Sequence, residues 1–327
     1  MSSPGHRGLC LVLGGYGFIG SNLVERLIAT GYGVRIFDKP TASRADLALV
    51  ESQIDFRAGD FLNEEDVDEA LQGVDFVFHL VGTTLPANSN TRPVFDVESN
   101  VVATIRLLEA SRRHGIKRLV FASSGGTVYG EPKSIPIPED HPTDPLCSYG
   151  ISKLAIEKYL RLYGHLYGLD YTILRVANPY GRYQRISADQ GVVPVFLARI
   201  RDGKTITIWG DGSVTRDYVY VEDVTNAFVK ALTQESPYRV FNIGSGVGIS
   251  LLELLVKMEQ ITGIKPRVEY TASRPVDVSI NVLDSTRARE YMNWHAETDI
   301  ETGLRSTWSW VCGGGREVSA ESRVRSA

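Results

Sequence analysis

Residues 9–20 read LCLVLGGYGFIG, an apolar run that breaks into glycines at 14, 15, 17 and 20. Leu9–Leu13 has the length and composition of a buried strand. Ile19–Ala29 follows as a helix with Ile19, Leu23, Leu27 and Ile28 on one face. A glycine turn between strand and helix offers close backbone approach, free N–H groups and the positive end of a helix. The pyrophosphate of a dinucleotide needs all three. Gly14 supplies the turn, Gly17 the approach and Gly20 the tight helix packing. Val34–Phe37 reads as a second strand, which Asp38 ends. An acid there, about 20 residues beyond the glycines, accepts hydrogen bonds from ribose hydroxyls and repels a 2′-phosphate. That favours NAD over NADP, a preference that Lys39 and Arg44 nearby weaken.

The alternation continues outward. Gly59-Asp60 closes a third strand, Asp66–Leu71 is a short helix and Phe76–Val81 a fourth strand. Val94–Arg113 is a long helix, Arg118–Ala122 a fifth strand, Ser148–Tyr167 a second long helix and Tyr171–Val176 a sixth strand. Strand–helix alternation means an α/β protein with a doubly wound parallel sheet, whose ligands bind beyond the carboxyl ends of the strands. Past about residue 180 loops lengthen, and Thr205–Trp209, Val219–Leu232 and Val240–Ile243 read as strand, helix and strand. We expect a nucleotide-binding domain over 1–179, with elements of 219–245 returning to it. A smaller C-terminal α/β substrate domain is expected over 180–312, then a polar, disordered tail over 313–327.

Composition sets the outer bounds. The chain has 327 residues, with 35 Lys plus Arg against 39 Asp plus Glu, a net charge of −4. A slightly acidic chain does not favour a nucleic-acid partner. Apolar residues at 43% and charged residues at 23% are ordinary for a globular protein and argue against bulk disorder. Cys10, Cys147 and Cys312 are too widely spaced for a metal pair and read as reduced thiols of a cytoplasmic protein. The run Leu9–Leu13 is cut by glycines too soon for a signal peptide, and no run reaches the ~20 apolar residues of a membrane span.

Tyr149 and Lys153 stand four residues apart on the second long helix and share a face. An ammonium one turn away, with an oxidised nicotinamide, favours the phenolate of Tyr149. The phenol then exchanges a proton with an alcohol or ketone while hydride moves at the same carbon. Lys153 would also hold the nicotinamide ribose. A hydroxyl at the end of the fifth strand, where residues 121–130 read FASSGGTVYG, would face the nicotinamide and steady the substrate oxygen. Asp60 reads either as a partner for the adenine amino group or as a helix N-cap. His79 reads as a core histidine.

These residues resemble the extended short-chain dehydrogenase/reductase family, in its nucleotide-sugar epimerase, dehydratase and reductase branch. The resemblance covers roughly residues 8–312. It rests on Gly14, Gly17 and Gly20, Asp38, Gly59-Asp60, His79-Leu80, Asn100, Ser123-Ser124, Val128-Tyr129-Gly130, Tyr149 with Lys153, Arg175, Asn178-Pro179-Tyr180-Gly181, Arg216-Asp217-Tyr218 and Arg274-Pro275 with Asp277. It implies a Rossmann-type first domain, a sugar-nucleotide second domain and a homodimer joined through helices 94–113 and 148–167. The expected cofactor residues are Gly14, Tyr16, Gly17, Phe18, Ile19, Gly20, Asp38, Asp60, Phe61, Leu80, Val81, Asn100, Tyr149, Lys153 and Val176. The expected substrate residues are Thr83, Thr84, Thr127, Asn178, Arg216 and Arg274, with the two arginines on the phosphates of a UDP-, dTDP- or GDP-sugar. Arg182 and Arg185 are further candidates, and no metal is expected.

Epimerases of the branch usually carry the catalytic Ser or Thr three residues before the Val of Val-Tyr-Gly. That count gives Gly125, whereas counting from Phe121 at the strand end gives Ser124. Strand geometry fixes the active-site edge while a Gly-Gly loop can bulge, which favours Ser124 with Thr127 in reserve. The 4,6-dehydratases of the branch place an Asp-Glu pair where Gly125-Gly126 stands, and glycine transfers no proton. The expectation is therefore a nucleotide-sugar 4-epimerase that keeps its NAD bound through turnover. A 4-keto reductase with NAD(P)H entering each cycle is the alternative. A non-catalytic dinucleotide-binding protein is the third reading, against which both Tyr149 and Lys153 speak.

Overall fold

The computed structural model describes residues 7–86, 88–186, 191–272 and 278–313. The first half of the chain runs β1 (Leu9–Leu13), α1 (Phe18–Ala29), β2 (Gly33–Asp38), β3 (Ile54–Ala58), α2 (Glu64–Leu71), β4 (Phe76–His79), α3 (Pro93–Asp96), α4 (Ala103–Arg113), β5 (Arg118–Ser124), α5 (Ser148–Tyr167) and β6 (Tyr171–Val176). The second half continues with β7 (Asn178–Tyr180), α6 (Val192–Arg201), β8 (Ile206–Trp209), β9 (Thr215–Tyr220), α7 (Val221–Lys230), β10 (Val240–Ile243) and β11 (Gly248–Ser250). It ends with α8 (Leu251–Thr262), β12 (Val268–Thr271), β13 (Ile280–Asn281), α9 (Thr286–Met292) and α10 (Ile300–Cys312).

Seven strands form one parallel sheet in the order β10-β6-β5-β4-β1-β2-β3. The chain direction across the sheet reverses between β1 and β4, which opens a crevice at their carboxyl ends. Alternation along each strand feeds two cores. Cys10 and Val12 face the layer of α1, α7 and α9, with Leu23, Phe228 and Met292. Leu11 and Leu13 face the layer of α2, α4 and α5, with Leu71, Leu107 and Leu160. The fold is the Rossmann-type doubly wound sheet. A third core, including Leu197, Ile208, Leu254 and Leu304, lies in a smaller lobe of short sheets and the helices α6, α8 and α10.

Several elements differ from the sequence reading. The helix expected over 94–113 is α3 and α4 joined by a π-helical turn at Val97–Val102. Hydroxyls of Ser99 and Thr104 bond back to the carbonyls of Phe95 and Asn100 there, and side chains that reach into a helix ladder favour such widened turns. Val219 and Tyr220 do not begin a helix but finish β9, where they pair with Pro179 and Tyr180 of β7. Helices α6, α8, α9 and α10 go beyond the sequence reading. Of these α8 does carry a sequence signal, the Ser250–Glu253 capping box. The region read as a tail lies outside the described residues from 314 onward. Among the described residues no helix is long and apolar enough to cross a membrane.

One buried polar network ties the sheet to α5. Glu157 of α5 accepts two hydrogen bonds from the guanidinium of Arg175 on β6, Nε at 3.0 Å and Nη2 at 2.6 Å. Ser123 of β5 donates to the same carboxylate at 2.6 Å. Arg175 also donates to Tyr129 Oη, which donates to Asn242 of β10. Removing one partner of a buried pair strands the other charge. We expect Glu157→Ala to cost about 3–5 kcal/mol of stability, read as a lowered melting temperature and a smaller midpoint in denaturant.

Candidate active site

The glycine turn is shaped for a diphosphate. Gly14 has φ +80°, a conformation L side chains rarely adopt. A Cβ on Gly20 would collide with Gly14 O and stand 2.8 Å from Gly15 Cα, so only glycine lets α1 sit this close to β1. The N-cap Gly17 brings no capping side chain, and the first turn of α1 holds no acid. Its leading N–H groups and the positive helix end therefore face the crevice uncapped. The residues present fit the pyrophosphate of NAD. Asp38 is fixed by two backbone donors, Tyr16 N at 3.0 Å and Lys39 N at 2.8 Å. The Arg44 guanidinium lies 4.1 Å from the centre of the Phe56 ring and 3.6 Å from Glu51.

The crevice widens into a cleft of about 990 Å³ between the two lobes. Gly14, Gly17, Phe18, Ile19, Gly20, Leu80 and Val176 line its cofactor side, and Ser124, Tyr149 and Lys153 its floor. Strand alternation decides between the two serines. Ser123 points down to Glu157, while Ser124 points into the cleft and its hydroxyl hydrogen-bonds the phenol of Tyr149. Thr127 also lines the cleft, three residues beyond the strand end, across the turn in which Val128 N bonds Ser124 O. Its buried Oγ1 has no partner among the described residues. A Cβ on Gly125 would run into Leu283, whereas one on Gly126 would meet only the Ser124 hydroxyl, at 3.9 Å.

The helix carrying Tyr149 is capped by another segment. Its own N-cap, Cys147, makes no side-chain bond. Instead Asn90 Oδ1 accepts from Ser148 N at 2.8 Å and Ser89 Oγ accepts from Tyr149 N at 3.1 Å. Both come from the 3₁₀ turn Ser89–Thr91, close to the cleft wall formed by Leu85 and Pro86. Lys153 is only 6% exposed. Its Nζ donates to Ala122 O at 2.8 Å and lies 5.6 Å from the Tyr149 ring centre. Burial lowers the lysine to about 8, against the opposing pull of Asp96 and Glu157. Burial, then Cys147 and Asp96, push the Tyr149 phenol up to about 12, and the Ser124 hydrogen bond pulls it back. The phenol and the ammonium thus hold their protons in an order opposite to their ordinary values.

On the lobe opposite, Asn178 and Arg216 line the cleft together with Arg185. Arg216 Nη1 donates to Val278 O at 2.7 Å, and Asn178 Nδ2 donates to Asp217 O at 3.2 Å. Arg182 lies instead on Glu25 of α1, at 2.8 Å. Arg274 lies outside the described residues. Thr84, although buried, lines the cleft, whereas the exposed Thr83 is held by Ser99 and Asn100 and does not line it. Asn100 is buried among Thr83, Thr84 and Asp96. Phe61 packs its ring in the core against His79, with centroids 5.2 Å apart. Asp60 is exposed and closes the turn before α2 by accepting Leu62 N, while the N-cap of α2 is Asn63. His79 is fully buried and its value falls to about 3, with burial the main cause and Lys153 the second. Thr104 already donates to Asn100 O, so His79 donates through Nε2 at 2.8 Å and leaves Nδ1 unpartnered among the described residues. The sequence reading did not find Ser89, Asn90 or Asp96. The one available signal was the four-residue spacing of Asp96 and Asn100 on a helix.

The chain is similar to known proteins along most of its length. Residues 10–244 match the NAD dependent epimerase/dehydratase family. The UDP-glucose 4-epimerase of Mycolicibacterium smegmatis is 39% identical over 304 residues, covering 91% of this chain and 96% of that protein. The crystal structure of UDP-glucose 4-epimerase from Thermotoga maritima with UDP-glucose superposes with a TM-score of 0.89 at 36% identity, over 93% of this chain and 99% of that one. The UDP-glucose 4-epimerase of Thermus thermophilus in complex with NAD superposes with a TM-score of 0.87 at 35% identity, over 94% and 99%.

The pinned carboxylate of Asp38 has a consequence for ligand choice. We expect Asp38→Ser to raise the affinity ratio of 2′-phosphorylated to unphosphorylated dinucleotide by about tenfold or more, measured by calorimetric titration of both.

Proposed function

The chain belongs to the NAD-dependent epimerase/dehydratase family, and we propose that it interconverts UDP-glucose and UDP-galactose as an NAD-dependent nucleotide-sugar 4-epimerase. The observation that carries this reading is the meeting of Ser124, Tyr149 and Lys153 at the carboxyl edge of the sheet, beside a glycine turn that fits a dinucleotide. Relatives named for this reaction over nearly the full length support it.

NAD held at the glycine turn and Asp38 would supply the hydride acceptor and donor for C4 of the sugar. The protein's own residues move the proton. Tyr149 removes it from O4 and returns it, and Ser124 hydrogen-bonds O4 in both states. Lys153 holds its ammonium near the phenol and favours the phenolate by charge. Asn178 and Arg216, with Arg185, suit the two phosphates. A cleft of about 990 Å³ leaves room for a 4-keto sugar to turn over between the two hydride transfers. Dehydration has no support, because Gly125 packs against Leu283 and neither glycine of the pair moves a proton.

We also propose a homodimer through α4 and α5. Ile151, Leu162 and Leu166 stand exposed along α5, as do Val94, Val97 and Val102 along the neighbouring α3–α4 segment. Such apolar stripes on adjacent helices suit a four-helix interface. Charged substitutions at Leu162 and Leu166 are expected to give a monomer in analytical ultracentrifugation.

Two measurements test the activity. Tyr149→Phe should lower kcat for UDP-galactose by about 10²–10⁴-fold while NAD still copurifies with the protein. Retained turnover, or a wild-type protein that loses its cofactor and consumes NADH with a 4-keto-6-deoxy sugar nucleotide, would overturn the epimerase reading. The pH profile follows from the two active forms. With the phenol held above the ammonium, activity rises with pH as phenolate forms and levels off above about pH 8, where each gain of phenolate is offset by loss of the Lys153 ammonium. In Lys153→Arg the guanidinium keeps its charge, so the activity that remains should keep rising above pH 8 instead of levelling off.

A further inference from the structure

Asp96, the last residue of α3, has no exposed surface at all. Its Oδ2 accepts Ser148 Oγ and Ser152 Oγ, each at 2.7 Å. Its Oδ1 accepts Asn100 Nδ2 at 3.0 Å and the hydroxyl of Thr84. Ser148 immediately precedes Tyr149, and Ser152 immediately precedes Lys153. A single carboxylate oxygen therefore grips α5 at two points one turn apart, each adjoining a member of the pair. The other oxygen ties the same carboxylate to the segment after β4. All four donors are neutral. A buried carboxylate is costly to keep among neutral partners, and an apolar side chain would anchor the helix more cheaply. The positive end of α5 lowers that cost. The charge itself therefore calls for a use.

We propose that Asp96 is the positioning residue of the Tyr149–Lys153 pair, holding the first two turns of α5 and supplying the counter-charge under the Lys153 ammonium. The proposal rests on the catalytic reading given above for Tyr149 and Lys153. The other ionisable groups around Lys153 are Glu157, one turn further along α5 and already paired with Arg175, and the neutral His79 of β4. Around Tyr149 they are Cys147 and Lys153. A negative charge at 96 raises the values of both Tyr149 and Lys153. Its removal lets the phenol ionise at lower pH and the ammonium deprotonate at lower pH. The pH at which activity levels off then moves in the acid direction, whereas the loss of a purely structural anchor lowers kcat without moving it.

The test uses the NAD-bound protein. The phenolate of Tyr149 is titrated by ultraviolet absorbance, each variant measured against its Tyr149→Phe counterpart. For Asp96→Asn the midpoint should fall by about one pH unit. Its kcat should drop about tenfold or more, with KM for UDP-galactose changed less than about threefold. The double variant Ser148→Ala/Ser152→Ala keeps the charge and loses the grip, so kcat should fall about tenfold without a lower midpoint. A wild-type midpoint in Asp96→Asn, or a wild-type kcat in the double serine variant, overturns the proposal. If Asp96→Asn does not fold, the double serine variant decides. The titration needs no sugar, so it still reads if the wild-type protein turns over a different sugar nucleotide.

Discussion

An ammonium ion kept inside a protein has to be held charged, and much of this structure follows from that requirement at Lys153. The side chain has one backbone acceptor, Ala122 O, and sits between two buried carboxylates from different directions. Glu157 is itself held by Arg175 and Ser123, which fixes α5 against β5 and β6. Asp96 is held by hydroxyls of α5 and by the segment after β4. The strand order of the sheet, the π-helical turn and the first turn of α5 are thereby joined through one small polar region.

The parts of the site that were legible in the sequence are those fixed by local spacing. Strand, glycine turn and helix at 9–29 form one contiguous unit, and the four-residue spacing of Tyr149 and Lys153 needs only that 148–167 be a helix. Counting residues around Gly125-Gly126 could not place the hydroxyl. In the structure Ser123 is committed to Glu157 and Ser124 faces the cleft, as the alternation of β5 requires. What stayed hidden depends on partners far along the chain. β7, β11 and β13 are two or three residues long and are strands only because β9 pairs with each of them. Phe61 and Asn100 have types that suit a cofactor contact, yet packing turns one into the core and commits the other to Thr83 and Asp96.

The cleft gains its second wall where the chain leaves the main sheet. β6 ends at Val176, and Asn178 begins β7 two residues later, so the floor and the opposite wall are covalently close. β9 then pairs β7 in register, Asn178 opposite Tyr218, which brings Arg216 to the same side. A long excursion through α6 and β8 returns to this spot by hydrogen bonding rather than by sequence proximity. The second wall of the cleft therefore grows from the carboxyl end of β6, an inner strand of the main sheet.

The two lobes are interleaved rather than strung in series. β10 closes the outer edge of the main sheet, and α7 and α9 cover one of its faces from sequence positions beyond 220. Phe228 meets Phe78 edge to face, and Trp294 anchors α7 through a hydrogen bond to Asp223 O at 2.8 Å. No single scission divides such a chain into autonomous halves. A fragment ending near residue 179 would expose a row of unpaired amides along β6 and strip the apolar surface of β4 and β5, the profile of a sticky, aggregation-prone species. During synthesis the nascent nucleotide-binding half must therefore wait for β10, at Val240–Ile243, before its sheet is complete.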